Sequence, residues 1–286
     1  MKHRTANELH TSCKKSTIPS GLRPRLLGVG MTVLIDGLIA ARNNRQPFAH
    51  PAGIGPASLA DGYAAQEVHV ARLLEQLGGT QIGYKLGATN HDTMKAMGFD
   101  APFTGPILSA WTHNAPASLQ RSDFFVCVIE AEVGFRLGRD LPSTTSTRQE
   151  VIESVAEIFP TLEIADSRLQ DWKNPGAPTI LADLGNAGAL VIGSPLQNWH
   201  KIDLDTLAVE LSADGETVAR GTGAMVLDNP LGRLVEFARE RAAIGYPLKA
   251  GEIVSTGTCT PPYPAKAGQT LTGHFGPLGT ISLTLL

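Results

Sequence analysis

The sequence predicts an α+β protein, mostly β with covering helices. Three observations carry that expectation. From Ile82 onward, short runs rich in β-branched and aromatic residues recur between Gly- and Pro-dense turns. Segments opening at Ser58, Thr147 and Asn229 carry helical apolar spacing behind N-cap chemistry. Asp214-Gly215 joins two short strand-like runs, as in a tight hairpin.

The chain has 286 residues, ample for a core. Hydrophobic content of 42% and charged content of 18% are those of an ordinary globular protein. A net charge of −3 gives no electrostatic case for nucleic acid or an acidic membrane as a partner. No 18-residue window is apolar and uncharged, so no membrane-spanning helix is expected. The three cysteines, Cys13, Cys127 and Cys259, fit neither a zinc motif nor a disulfide framework, which suits a reducing cytoplasm.

In chain order, residues 1–30 are basic and lack periodicity, and read as a disordered, dispensable leader. Residues 31–286 read as one domain, helical over about 31–115 and β-rich over about 116–286. A short helix is expected over 32–45. A longer one runs from the Ser58 cap to Gly78, with Val70, Leu73, Leu74 and Leu77 on one stripe. Ile82–Gly87 reads as a strand with Lys85 facing away from Ile82, Tyr84 and Leu86, between two glycines. A strand Lys is ordinarily a surface residue. Residues 88–114 read as loop-rich, a connector or a mobile cover, with a short helix at 92–97.

The run Phe124–Phe135 reads as a strand placing Ile129, Ala131 and Val133 on one face and Glu130 and Glu132 on the other. Two carboxylates spaced about 7 Å apart repel by roughly 2 kcal/mol at an effective dielectric of about 20. A shared hard cation such as Mg²⁺ or Mn²⁺ would relieve that repulsion, and so would a solvated face. Thr147-Arg148-Gln149-Glu150 is a capping box, opening a helix expected to bury Val151, Val155, Ile158 and Phe159 and to end at Pro160. The strand Thr161–Asp166 follows, with Glu163 opposite to Leu162 and Ile164. A strand–helix–strand return can bring this third carboxylate beside the first pair. The hairpin around Asp214-Gly215, a helix capped by Asn229-Pro230 and stopped at Gly245, and strands within 253–257, 270–272 and 280–285 complete the chain.

Gly83-Tyr84-Lys85-Leu86-Gly87, Ile129-Glu130-Ala131-Glu132, Leu162 to Arg168, Asp228-Asn229-Pro230-Leu231 and Phe275 to Gly279 keep an order that resembles one family. It is the 2-keto-4-pentenoate hydratase and 4-oxalocrotonate decarboxylase branch of the fumarylacetoacetate hydrolase superfamily. The resemblance spans residues 60–286. It implies a mixed β-roll core with an N-terminal helical layer, assembled as a homo-oligomer. It further implies Mg²⁺ or Mn²⁺ held by Glu130, Glu132 and Glu163, chelated by the carboxylate and 2-oxygen of a small 2-oxo or 2-hydroxy-enoic acid. Lys85 matches the active-site lysine, and Asp183 an aspartate assigned here a catalytic role. Thr256 and Asn186 match substrate-binding positions. The chain departs from the pattern in two places. Gly105 to Trp111 lacks an acid that many hydratases carry, and a serine found in some members near Ala187 is absent.

The activity so implied is metal-dependent hydration of a 2-hydroxy-2,4-dienoate to a 4-hydroxy-2-oxo acid, a step of aromatic catabolism. Decarboxylation of a 2-oxo-3-enedioate shares the same electrophile. Hydrolysis of an acylpyruvate needs a base on water, for which His91 and Asp92 are the nearest residues. An inactive carboxylate-binding relative is the non-enzyme alternative.

Overall fold

The computed structural model describes residues 28–51 and 53–286. The leader expected over 1–30 lies, up to residue 27, outside the described residues. Two helices open the described chain, α1 (Val29–Asn44) and α2 (Leu59–Leu77). Ser58 caps α2 by accepting the Asp61 amide. Then come β1 (Gln81–Gly87), α3 (His91–Met97), β2 (Phe103–Leu108), β3 (Thr112–Asn114) and β4 (Ala117–Leu119). The middle of the chain holds β5 (Val128–Leu137), α4 (Arg148–Ser154), β6 (Val155–Ala165), α5 (Ala177–Ala182) and β7 (Ala187–Ile192). The hairpin β8 (Ala208–Ala213) and β9 (Glu216–Thr222) precedes α6 (Asn229–Ala243). The chain closes on β10 (Ile253–Thr258), β11 (Tyr263–Pro264), β12 (Thr270–His274) and β13 (Thr280–Leu285).

Two sheets result, and the architecture is the α+β mixed β-roll expected. One runs β2-β1-β10-β5-β6-β7-β3, with β11 added beside β5; the other runs β4-β13-β12-β8-β9. Strand alternation on β5 turns Ile129, Ala131, Val133 and Phe135 toward the main core, which they share with Leu211, Leu271, Leu283 and Phe237. Glu130, Glu132 and Gly134 therefore occupy the opposite face of the first sheet. No helix among the described residues is long and apolar enough to cross a membrane.

Three expectations are corrected. The strand begins at Val128, not Phe124. The helix opened by the Thr147 capping box ends at Ser154, and Val155, Ile158 and Phe159 are buried from a strand instead. Their β-branched and aromatic side chains pack well on a pleated surface, and β5 offers the partner ladder. Pro160 lies inside that strand: its carbonyl accepts the Gly193 amide at 2.9 Å just beyond the end of β7, where the lost N–H costs one ladder bond. Third, the stretch 88–114 is not mainly loop, since β2 pairs with β1 along its length. β1 and β2 thereby tie the N-terminal part of the chain into the same sheet as β5 and β6.

Gly83 shows how tightly that sheet is drawn. A Cβ there would lie 1.9 Å from the Ile253 carbonyl oxygen on β10. Gly83→Ala is expected to cost about 3 kcal/mol of stability, read by chemical denaturation, because both atoms belong to paired backbone and neither can yield.

Candidate metal centre

Adjacent strands bring the acids together. Glu130 of β5 lies directly opposite Glu163 of β6, and Glu132 opposite Thr161. Directly paired residues point to the same side of a sheet, so all four side chains share one face. One carboxylate oxygen from each of Glu130, Glu132 and Glu163 lies within 4.8 Å of the others. Across β10, Lys85 of β1 lies beside Ser255, and its Nζ reaches to 3.2 Å from Glu163 Oε1. Lys85 is only 4% exposed, so the general expectation of a surface lysine fails at this position.

Burial makes this cluster costly without a further cation. Desolvation, then Glu163, pushes the Glu130 carboxyl up to about 7 against the pull of Lys85. Glu132 is raised well above the usual carboxylate range by desolvation, then by Glu163 and Glu130. Glu163 is raised by desolvation, with Lys85 opposing. Glu132 Oε1 and both oxygens of Glu163 are buried, and the one cation against them is the Lys85 ammonium, 3.2 Å from Glu163 Oε1. Buried polar atoms are ordinarily partnered. Under-partnered carboxylate oxygens, in a group where one from each of the three acids lies within 4.8 Å of the others, suit a hard divalent cation, which takes oxygen ligands.

Several residues that the sequence reading missed hold Glu132 in place. Ser255 Oγ donates to Glu132 Oε2 at 2.5 Å, and the Gly257 amide donates to the same oxygen at 3.2 Å. The β5–β10 register shifts between Ser255 and Thr258, a bulge that turns both donors onto one carboxylate. Thr161 Oγ1 lies 3.0 Å from Ser255 Oγ and extends the chain. Thr256, the residue expected to bind substrate, is buried in the same turn, and its hydroxyl donates to the Val133 carbonyl at 3.0 Å. The hydroxyl that holds Glu132 lies one position earlier in the same Ser-Thr-Gly turn.

Asp183, expected to be catalytic, is fully buried in a hydrogen-bonded network. Its Oδ1 accepts from Arg168 Nε at 2.6 Å, and its Oδ2 from the Ser167 hydroxyl at 2.8 Å and the Arg168 amide at 2.9 Å. Burial raises its carboxyl while Arg168 opposes. Both of its oxygens are thereby engaged. Arg168 also donates to the carbonyls of Asp183 and Ala187, spanning a turn in which Leu184, Gly185 and Asn186 all have φ near +58°, at 59°, 58° and 59°. The buried pair holds that strained turn, and a Cβ on Gly105 would lie 2.4 Å from the Leu184 carbonyl and 3.0 Å from Lys85 Cε. Asn186 closes the turn, its carbonyl accepting the Asp166 amide at 2.8 Å.

Beyond the turn, Ala187 to Leu190 line a small chamber of about 20 Å³ together with Lys85 and Glu163. A larger cavity of about 750 Å³ lies between α3 and α6 and is lined by His91. It does not include the carboxylates. Thr89 stands between, its carbonyl accepting the Leu227 amide at 2.8 Å on one side and its hydroxyl against Gly257 on the other. His91 and Asp92 are therefore not gathered into the acid cluster.

The chain matches the family described as fumarylacetoacetate (FAA) hydrolase C-terminal over residues 79–285. It is 34% identical over 221 residues to 2-keto-4-pentenoate hydratase of Paraburkholderia xenovorans, covering 77% of this chain and 81% of that protein. It is 30% identical over 218 residues to 2-hydroxyhexa-2,4-dienoate hydratase of Comamonas testosteroni, covering 76% and 82%. Among solved structures it superposes with a TM-score of 0.82 and 26% identity on 4-oxalocrotonate decarboxylase from Pseudomonas putida complexed with magnesium and adipate, covering 90% of this chain and 97% of that one.

Proposed function

The chain belongs to the fumarylacetoacetate hydrolase family, and from that premise we propose that it is a hydro-lyase adding water to a 2-hydroxy-2,4-dienoate to form a 4-hydroxy-2-oxo acid. The observation that carries the reading is the convergence of half-buried Glu130 with buried Glu132 and Glu163 beside Lys85, with oxygens left under-partnered. The similarity to hydratases that act on such dienoates supports it. Mg²⁺ or Mn²⁺ held by the three carboxylates would supply Lewis acidity toward the substrate's 2-oxygen.

The chain's own residues supply the rest. Ser255 and Gly257 fix the orientation of Glu132. The burial of Glu132, Glu163 and Lys85 keeps bulk water from the reacting atoms. Lys85 Nζ is the cationic group placed to move a proton as the dienol becomes a ketone and water adds to the conjugated carbon. Asp183, through Arg168, holds the turn that contains Asn186 and leads into Ala187 of the chamber lining.

Loss of dienoate absorbance on adding Mg²⁺ to chelator-treated enzyme, with one 4-hydroxy-2-oxo product, is the expected result. Release of CO₂ from a 2-oxo-3-enedioate, with no hydration of dienoate, would favour the decarboxylase reading instead, which the solved structure of that name motivates. Ser255→Ala leaves Glu132 Oε2 with the Gly257 amide alone. It is expected to weaken Mn²⁺ binding about tenfold in calorimetric titration while leaving the unfolding midpoint near wild type. Assembly into a homo-oligomer and a cytoplasmic setting belong to the same proposal, the first checked by light scattering.

A further inference from the structure

We infer that Phe103 is the positioning residue for Lys85: the face of its ring holds the ammonium in place for proton transfer. The inference rests on the reading above that gives Lys85 that role. Lys85 Nζ lies over the Phe103 ring, 5.2 Å from its centroid, and 3.2 Å from Glu163 Oε1. A ring face attracts an ammonium within about 6 Å, and more strongly where water is excluded. Both residues are buried, Lys85 at 4% and Phe103 at 2% exposure. Glu163 is assigned to the metal as well, so the ammonium needs a partner that the metal does not use. A neutral ring is such a partner, because it anchors the lysine without competing for a carboxylate oxygen.

Two glycines make the meeting possible. On the antiparallel pair β1–β2, Lys85 lies opposite Gly105, and Gly87 lies opposite Phe103. Directly paired residues share a face of the sheet, and so do residues two apart on one strand, so all four lie on the same side. Each long side chain thus faces a position that has none, and can lie down across it. A Cβ on Gly105 would come to 3.0 Å from Lys85 Cε, and one on Gly87 to 2.5 Å from Phe103 Cε2. The ring is held in turn by Phe99, their centroids 4.5 Å apart. Both belong to one buried cluster with Met94, Ile180 and Leu181, contributed by α3 and α5. A ring packed in this way presents a fixed face to the ammonium.

The test compares the wild-type full chain with Phe103→Leu and Phe103→Met, which keep an apolar side chain and lose the ring. In crystals of the metal-free protein, Lys85 Nζ is expected to lie more than about 1 Å from its wild-type position in the variants, or to occupy two positions. With Mg²⁺ and dienoate, kcat is expected to fall about tenfold with KM within about twofold, less than the roughly hundredfold that a misplacement of about 1 Å can cost. In the Lys85→Met background the same replacement is expected to change kcat by less than about twofold, because the group it positions is gone. A ring that merely fills space would lower kcat equally in both backgrounds and leave Nζ where it is. Either of those results, in whichever variant folds, overturns the inference. Dienoate turnover is read separately: a wild type that hydrates no dienoate, while loss of the ring still displaces Nζ, would overturn the hydratase reading and leave the role of Phe103 standing.

Discussion

Glu132→Gln is expected to lower dienoate hydration by roughly 10³-fold or more while leaving the metal-free protein at least as stable as wild type at pH 8. The two effects have one cause. Glu132 is fully buried, and burial with Glu163 and Glu130 nearby raises its carboxyl well above 4.5. Glutamine imitates the protonated acid and still accepts from Ser255 and Gly257, so the fold loses a repulsion and keeps both hydrogen bonds. Replacing buried charge by a neutral group of similar shape often gains about 1–4 kcal/mol. A divalent ion, by contrast, loses one of three anionic ligands, and Lewis acidity worth several kcal/mol of barrier goes with it.

The pH dependence follows with a definite sign. An acid raised in the folded state binds its proton more tightly there than in the unfolded chain. Its contribution is fully present below about 4.5 and is lost as pH rises through the folded value, about 7 for Glu130. Metal-free wild type is therefore expected to lose thermal stability between pH 5 and pH 8. Glu132→Gln should lose less, so its advantage should grow with pH. Saturating Mn²⁺ should restore the wild type most at pH 8, because the ion binds the folded, deprotonated cluster. A flat stability profile in the metal-free wild type would contradict the account of the cluster.

Lys85→Met carries the second large effect. Turnover is expected to fall by about 10²–10⁴, the range for loss of a positioned proton-transfer group. Mn²⁺ affinity is expected to hold or rise, because a cation 3.2 Å from Glu163 is removed from beside the metal's ligand. That combination separates a proton-handling lysine from one that merely shapes the acid cluster. Loss of Mn²⁺ binding with turnover unchanged would overturn the assignment. Stability should fall most at high pH, where Glu163 would be left ionised and buried without its ion-pair partner.

The parts legible in sequence are those that depend on alternation. Glu130 and Glu132 on one face of β5, Glu163 on the matching face of β6 and Lys85 opposite Tyr84 all follow from the period of two. Their convergence depends on strand order, which the return from β5 through α4 to β6 happens to make local. Ser255 was not legible because a register shift between Ser255 and Thr258 turns it onto Glu132, and alternation along a single strand does not reveal such a shift. Phe159 and its neighbours were misassigned because a short apolar run satisfies helical and strand spacing alike, and Pro160 reads as a stop in either. The Arg168–Asp183 ion pair was not legible, because its members lie 15 residues apart and nothing in the spacing reveals a buried pair.

The most direct test is a crystal structure of the protein soaked in Mn²⁺, with the anomalous difference map as the readout. The account predicts one strong peak per chain within coordinating distance of Glu130, Glu132 and Glu163, absent when Glu163 is replaced by Gln. A map with no peak among those three carboxylates, from crystals of enzyme that Mn²⁺ activates, would contradict it.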